Sequence, residues 1–418
     1  MRYTILLITV CTLFSACKKS AIVPGDISST AQVDKQNGFT AAAAFSTATW
    51  TAGALSTSTD PAQQIVPNTQ LKPMGVTLGG ASIFKSNNPE IFRGNGWLMQ
   101  HARTDASRGG RSYGLSGTHP AYFFHINKSG VTKYLHLLVT NPNAGAITVS
   151  SKGSCYTNAE KPLTGSGTGQ SYFVAKDWLN GTLRQPQTAS TSLAQYAAKE
   201  IYKIAVANSG MVDGRFEITT SGNAYYYTVI TGSGLTSDAI TASQGAYAAG
   251  DYYTESTNAY GREAGIYQYS DVSADNTLDV PATAAHIGFA LNTTNKFSAS
   301  LENQVAPALM SLSGSSSQSY GNYGHRYRVI FRLQNNNSFS KTVRLYFASN
   351  SVNAAQSNAT WNGPVKMNGS VINVYTRLNA PRQQLSSWTV PPGTFNVNLE
   401  FYVPGLITAN QQLIFETN

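Results

Sequence analysis

Three aspartates, Asp271, Asp275 and Asp279, recur every four residues in a polar stretch that also holds Asn276. We predict that this stretch is a loop. Carboxylate and amide oxygens are the ligands that calcium prefers, and a calcium ion takes six or more of them. The spacing is not that of an EF-hand. The stretch therefore predicts a calcium site, with ordinary solvated acids as the alternative, and no other cofactor is expected.

The residues typical of hydrolases do not form a complete catalytic set. Gly110-Arg111-Ser112-Tyr113-Gly114 fits the Gly-x-Ser-x-Gly pattern of a nucleophile elbow, which needs a strand before the serine and a helix after it. Neither pattern flanks this segment, which is predicted to be a flexible loop. The carboxylates include no recognisable glycosidase pair, although two such acids can lie far apart in sequence. We therefore predict a protein that is not an enzyme.

The six histidines show no pair at a spacing typical of zinc sites. They are His101, His119, His125, His136, His286 and His325. Packing and hydrogen bonding explain most of them, but His125 and His325 stand beside aromatic residues and are candidates for binding. Metal binding by histidine is not predicted.

Arginines are densest between residues 93 and 111. Arg103, Arg108 and Arg111, with Arg93 nearby, would bind phosphate or carboxylate of an envelope polymer through forked hydrogen bonds. The alternative is a solvated basic loop.

Tyrosines form three groups in the sequence, namely Tyr225 to Tyr227, Tyr252-Tyr253, and Tyr320, Tyr323 and Tyr327. Neighbours on a strand face opposite sides, so at least one of Tyr225 to Tyr227 is predicted to be exposed or to lie between lobes. Exposed rings stack on sugars or anchor protein interfaces, whereas packing in half-buried sheets is the alternative. Tyr320 and Tyr323 are the candidates for ligand binding.

Turn signals recur every eight to twelve residues beyond residue 70 and separate runs of β-branched and aromatic residues. This pattern is typical of a sandwich or barrel. We predict a mostly β protein with two antiparallel β-sandwich lobes of immunoglobulin-like or jelly-roll-like type. Two hairpins resemble one another, since Lys133 to Asn143 and Arg326 to Asn336 each read as a strand that ends in an asparagine-rich turn.

One or two short helices complete this prediction. Apolar residues at helical spacing, with Ser192 as a cap, predict a helix over Leu193 to Ile204. A shorter helix is predicted from Asp177 to Leu183.

The 418-residue composition agrees with a β-rich exterior protein. Charged residues make up 12% of the chain, which contains 36 glycines and 23 tyrosines. The net charge of +9 is spread along the sequence and favours weak attraction to anionic surfaces. Nucleic acid is not an expected partner, because its binding would need a basic face with stacking aromatics.

The first seventeen residues predict export and lipidation. Arg2 precedes an apolar run from Thr4 to Phe14 that is too short to span a bilayer. Leu13 to Cys17 resembles the lipobox of bacterial lipoproteins, and Lys18 to Ser20 resembles those of the Bacteroidota. Acylation of Cys17 would anchor an outer membrane lipoprotein on its periplasmic or cell-surface side. A signal peptide without lipidation is the alternative. Cys155, the cysteine within the folded part, is predicted to be a small buried residue.

The predicted organisation has five parts: a signal peptide (1–16), a Ser/Thr/Ala-rich tether (17–65), an N-terminal β lobe (66–235), a connecting segment (236–280) and a C-terminal β-sandwich lobe (281–418). Two cores are expected because the chain is longer than one ordinary domain.

Several short stretches, in this order, resemble domain of unknown function 3370, an uncharacterised family. They are Asn87 to Glu90, Gly94 to His101, His125 to Lys128, Tyr260 to Arg262, Gly321 to Tyr327 and Pro391 to Gly393. The resemblance runs from about Leu71 to the C-terminus. It implies an extracytoplasmic β protein and supplies no activity or catalytic residues.

These observations predict an exported envelope protein that is structural, adhesive or polysaccharide-binding. A glycan-active hydrolase of the cell envelope is the alternative. The expected partners are the membrane, through acylated Cys17, and an envelope polysaccharide or protein.

Overall fold

The computed structural model describes residues 49–55, 61–101, 114–252, 262–296, 301–349, 359–377, 379–405, 407 and 410–418. All of them belong to one compact unit. The predicted signal peptide, Cys17 and most of the predicted tether lie outside the described residues, as do Arg103, Arg108, Arg111 and Ser112. None of the helices in the described part is both long and apolar enough to cross a bilayer.

Strands dominate the described residues, which confirms the predicted mostly β class. They are β1 (Thr51–Ala52), β2 (Thr77–Gly79), β3 (Ile83–Ser86), β4 (Ile91–Phe92), β5 (Gly96–Gln100), β6 (Leu115–Asn127), β7 (Lys133–Thr140), β8 (Ile147–Thr157), β9 (Thr191–Leu193), β10 (Ala198–Val206), β11 (Met211–Thr231), β12 (Gly250–Asp251), β13 (Ala264–Tyr267), β14 (Asp271–Asp279), β15 (Ala285–Leu291), β16 (Ala308–Ser311), β17 (Arg326–Asn335), β18 (Lys341–Ser349), β19 (Ala359–Met367), β20 (Ser370–Arg377), β21 (Arg382–Val390), β22 (Gly393–Tyr402) and β23 (Gln411–Thr417). The helices are α1 (Gln170–Asn180) and α2 (Thr236–Gln244), with short 3-10 turns at Pro61–Gln64 and Asn68–Gln70.

The strands form three sheets. A five-stranded sheet has the order β1-β15-β23-β18-β21, and a six-stranded sheet has the order β2-β14-β17-β22-β19-β20. The largest sheet follows the path β10-β7-β11-β6-β3-β13-β16, with β4, β5, β8, β9 and β12 attached beside it. Most pairs are antiparallel, but β14 runs parallel to β17, and β3 and β4 run parallel to β6.

Alternating residues explain how these sheets bury their faces. In β17, Tyr327, Val329, Phe331 and Leu333 point inward, while the arginines between them remain partly exposed. Rings from both smaller sheets meet in one core, where the Phe331 centroid lies 5.1 Å from Phe289 and 4.8 Å from Phe415.

Strand β6 contributes to two cores at once. Tyr122 and Phe124 pack in the core of the smaller sheets, whereas Ala121 and Phe123 pack in a second core within the largest sheet. Residues one apart on a strand face opposite sides, so this single strand separates the two cores. The segment 236–280, predicted to connect two lobes, itself supplies α2, β12, β13 and β14.

The helix predicted from Leu193 to Ile204 is wrong. Strand β9 ends at Leu193, Tyr196 adopts a left-handed backbone with φ 57°, and β10 pairs with β7 from Ala198 to Val206. Pairing with a distant strand overrides the local helical spacing. The shorter predicted helix overlaps α1, which begins earlier and ends at Gly181, where a φ of 70° suits the glycine.

One asparagine-centred turn occurs three times. Asn127, Asn141 and Asn335 are buried at the ends of β6, β7 and β17, and each accepts a hydrogen bond from the N–H two residues later. Each side-chain amide donates to the carbonyl four residues later, at 2.8, 2.8 and 3.0 Å. It also donates to the end of a neighbouring strand, at Val206, Leu193 or Val390. The two hairpins that resemble one another in sequence therefore share a turn, and a third hairpin uses it too.

Candidate functional site

Residues of several family-like stretches, among them Asn87, Arg262 and Gly321, lie at or beside a buried polar centre formed by Lys85 and Glu263. The Lys85 ammonium lies 2.7 Å from Glu263 Oε2, and both side chains are fully buried. Ser319 Oγ accepts from Lys85 at 2.5 Å. Burial lowers the pKa of Lys85, and Glu263 opposes this effect. A dry ion pair of this kind fixes the strands that carry it.

Backbone and side-chain bonds tie this centre to the neighbouring motifs. Asn87 N–H donates to Glu263 O at 2.6 Å, and Asn88 Nδ2 donates to Ser315 Oγ at 3.0 Å. Glu90 pairs with Arg262. The motifs are therefore close in space although they are far apart in sequence.

A serine and a histidine beside the centre lie at the distance of a nucleophile and its base. His125 Nδ1 donates to Pro89 O at 2.8 Å, which leaves Nε2 to accept from Ser86 Oγ at 2.9 Å. Both side chains are fully buried, and burial lowers the pKa of His125 to about 4. A neutral histidine away from solvent acts here as a structural hydrogen-bonding residue.

The candidate binding residues Tyr320, Tyr323 and His325 are buried, with exposed fractions of 8%, 8% and 1%. Tyr323 OH donates to Ile407 O at 3.1 Å, and burial holds the pKa of His325 well below its usual value. These rings do not form an exposed stacking face, because the core covers them. Tyr226 and Tyr227 are buried as well, and Tyr225 is half-buried.

The three aspartates of the predicted calcium loop lie on strand β14 instead. Val272, Ala274, Asn276 and Leu278 alternate with them and point inward. Residues four apart on one strand are separated by about 13 Å, too far to share an ion. Asp271 and Asp275 pair with Arg328 and Arg332 of β17, and no cluster of metal-binding side chains occurs in the described residues. The geometry does not support the calcium prediction.

A small cavity borders Asp213 and Arg215 of β11, with a volume of about 10 Å³. That is room for one water molecule and excludes a sugar. Asp213 Oδ2 accepts from Gly405 N–H at 3.2 Å and from Tyr122 OH at 3.4 Å. Burial raises the pKa of Asp213 to about 7, although these hydrogen bonds act to lower it. The cavity is a structural feature of the core, and Cys155 is also buried, as predicted.

Exposed aromatic rings occur together at a different place, on the loop after α2. Tyr247 is 60% exposed and Tyr252 is 38% exposed, and their centroids lie 5.4 Å apart in an edge-to-face arrangement. The buried Trp97 ring packs edge-to-face against Tyr247, with a centroid separation of 5.9 Å. We call Tyr247, Tyr252 and Trp97, with Arg93 and Asp251 beside them, the tyrosine ledge.

Backbone hydrogen bonds hold the ledge firmly to the largest sheet. Ala248 N–H donates to Trp97 O at 2.8 Å, and Arg93 N–H donates to Ala249 O at 2.7 Å. Trp97 Nε1 donates to Gly245 O at 3.0 Å. Strand β12 continues this contact by pairing with β4. The rings are thus positioned before any ligand arrives.

Gly96 permits the close approach of this loop. Its φ is +134°, and a Cβ there would lie 2.6 Å from Ala246 O and 2.8 Å from the carbonyl carbon of Tyr247. Any larger residue would push the ledge away from β5.

A planar ion pair lies beside the rings. Arg93 Nε and Nη2 donate to the two carboxylate oxygens of Asp251 at 2.7 and 2.8 Å. The pKa of Asp251 is lowered by these hydrogen bonds. The side chains are 52% and 37% exposed, so their remaining donors and acceptors face solvent. Rings beside fixed polar groups can bind a sugar, because the rings stack on its C–H face and the polar groups meet its hydroxyls.

The sequence alone predicts part of this site. Arg93 belongs to the predicted basic region and Tyr252 to a tyrosine group, while Gly96 and Trp97 belong to a family-like stretch. Tyr247 was missed, because a single tyrosine between alanines carries no local signal.

Residues 180–362 match the model of a family described as protein of unknown function, DUF3370. Over these residues the chain is similar to this family. The resemblance predicted from the sequence is thereby confirmed over a shorter range than expected. The match assigns no activity, and none of the curated proteins matches the chain.

Solved structures give only weak likenesses. The tandem CBM51 modules of a family 98 glycoside hydrolase from Streptococcus pneumoniae are 8% identical, with 77% of this chain and 88% of that chain covered and a TM-score of 0.18. Tripeptidyl peptidase 2 is 11% identical, with 78% of this chain and 24% of that chain covered and a TM-score of 0.19. The tandem CBM22 domain of a Paenibacillus barcinonensis protein is 8% identical, with 78% of this chain and 98% of that chain covered and a TM-score of 0.16. Superpositions this poor establish no shared fold.

Proposed function

We propose that this protein is a non-enzymatic, lipid-anchored module that binds envelope polysaccharide on the tyrosine ledge. The observation that carries the proposal is the pair of exposed rings at Tyr247 and Tyr252, fixed edge-to-face on a backbone that is hydrogen-bonded to a sheet. Rigid aromatic anchors bind well because little conformational entropy is lost on association.

The lipid anchor explains how such a module would remain at the envelope. Acylated Cys17 would hold the chain in the outer membrane, and the tether would let the folded part reach polymer nearby. Membrane attachment would then be a function of the N-terminal segment, and sugar binding a function of the folded part.

The test is a glycan array and cell-wall pull-down with the chain from Lys18 onward, in which soluble products are analysed by mass spectrometry. We expect binding without cleavage, and at least about tenfold weaker binding for Tyr247→Ala, which corresponds to about 1.4 kcal/mol. Tyr196→Ala is the matched control, because Tyr196 is 74% exposed and lies outside the ledge.

Three outcomes would contradict the proposal. Released oligosaccharide would identify an enzyme. Equal losses for the Tyr247 and Tyr196 variants would remove the ledge as the site, and an absence of binding by the unchanged protein would exclude these polysaccharides as ligands.

A further inference from the structure

A basic residue follows each of two neighbouring strands near the tyrosine ledge, Arg93 after β4 and Lys128 after β6. Strand β4 lies between β12 and the end of β6, with Phe92 opposite both Gly250 and Asn127. Lys128 follows Asn127, and its N–H donates to Phe92 O at 2.9 Å. Since paired strands are about 4.8 Å apart, the Lys128 backbone lies about 10 Å from that of β12.

A second lysine approaches the ledge from the other side of the 93–96 turn. Asn95 Nδ2 and Lys133 Nζ lie 3.7 and 3.9 Å from the position that a Cβ on Gly232 would occupy. Asn95 directly precedes Gly96, on which the ledge loop packs. Lys128 thus lies next to β4, on which β12 of the ledge pairs, and Lys133 lies next to Asn95, which precedes Gly96.

The two lysines differ from Arg93 in their electrostatic state. Arg93 is neutralised by Asp251, whereas neither Lys128 nor Lys133 forms an ion pair with a carboxylate in the part of the chain that the structure describes. Lys128 is exposed, and its ammonium donates to the Ser209 hydroxyl at 3.3 Å. The Asp238 carboxylate of the neighbouring α2 accepts a hydrogen bond from the Ser233 hydroxyl, and in the described residues it pairs with neither lysine. A lysine on a flexible stem acts as a mobile point charge for an anionic group.

We infer that the tyrosine ledge selects an acidic polysaccharide, whose rings stack on Tyr247 and Tyr252 while its carboxylate groups meet Lys128 and Lys133. This inference rests on the proposed function and specifies its ligand class. The Arg93–Asp251 pair then contributes hydrogen bonds to hydroxyls and adds no net charge. The positive charge of the two lysines provides the discrimination against neutral sugars.

The test compares polygalacturonate with its fully methyl-esterified form, which has the same sugar rings without the charge. We expect the full chain from Lys18 onward to bind the acid form about tenfold more tightly at low salt, and this preference to fall as salt screens the charges. The double variant Lys128→Ala/Lys133→Ala should lose the preference and retain binding to the ester. Lys176→Ala/Lys199→Ala, with the same loss of charge elsewhere, should retain the preference.

The variants distinguish selection for an acidic polysaccharide from the proposed function of glycan binding on the ledge. Equal, Tyr247-dependent binding of acid and ester would overturn the charge selection and leave the proposed function intact. Binding that depends on the lysines and not on Tyr247 would overturn both. Attachment to phosphatidylglycerol vesicles without attachment to polygalacturonate would overturn the inference in favour of a lipid surface.

Discussion

The Asp213 carboxyl shows how burial changes the chemistry of a single residue. It is buried in β11, and its pKa rises from 3.8 in the unfolded chain to about 7. Between these values the folded state binds more protons than the unfolded state. Its contribution to the free energy of unfolding therefore falls as pH rises from about 4 to about 7.

Asp213→Asn should remove this contribution. We expect the variant to gain stability relative to the unchanged protein as pH rises, by on the order of 2 to 4 kcal/mol above pH 7. Urea unfolding at pH 4.5 and pH 8 measures the difference. The lowered pKa of His125 makes the free energy of unfolding rise with pH. This contribution is the same in the variant and in the unchanged protein, so it cancels when the two are compared. The same difference at both pH values would contradict the prediction.

Gly96 is a second residue whose importance comes from its surroundings. Gly96→Ala should reduce glycan binding about as much as Tyr247→Ala, because the new Cβ would displace the ledge loop. Gly369→Ala is the control, since Gly369 also has a positive φ, +89°, but has open space around it. Gly369→Ala should cost about 1 to 2 kcal/mol of stability through its backbone conformation alone. Gly96→Ala should cost more, because its Cβ also meets backbone atoms, and only this substitution should impair binding. Equal binding by both variants would show that the loop tolerates the displacement.

At the scale of elements, the asparagine-centred turns join strand ends that local sequence does not connect. One side chain bonds to its own turn and to a distant strand, so its loss leaves two or three buried backbone groups without partners. The spacing of six residues from the asparagine to the next strand is the same at Asn127, Asn141 and Asn335.

Replacement of Asn335 by alanine should lower the free energy of unfolding by about 1 to 3 kcal/mol, the cost of unsatisfied buried groups. Asn336→Ala should cost less than about 0.5 kcal/mol, because the Asn336 bond to Asp279 is exposed. Urea titration of both variants provides the measurement. Similar losses for the two would mean that the turn holds its shape without the Asn335 amide.

At the scale of the whole molecule, the Lys85–Glu263 pair connects strands whose residues are 178 positions apart. It lies beside β6, the strand shared by the two cores. An ion pair in this position stabilises the arrangement only while both partners are present, because an unpaired buried charge is strongly unfavourable.

Lys85→Met should therefore destabilise the protein by about 3 to 5 kcal/mol, whereas Lys85→Met/Glu263→Leu should restore much of the loss. The free energies of unfolding of the two variants, measured in urea, decide the matter. A double variant that is no more stable than the single one would show that shape, and not charge, dominates at this site.

The sequence by itself determined the β class, since turn signals and period-two alternation are local and survive in any arrangement of strands. It also determined a helix near residue 177, the burial of Cys155 and the similarity of residues 180–362 to DUF3370. Export and lipidation stay predictions. Only the tertiary structure decided that Ala198 to Val206 is a strand, that Tyr320 and Tyr323 are covered, and that Tyr247 is open. The physical reason is that strand pairing and exposure depend on neighbours far along the chain, such as Thr140 for Ala198 and Trp97 for Tyr247, which no local pattern specifies.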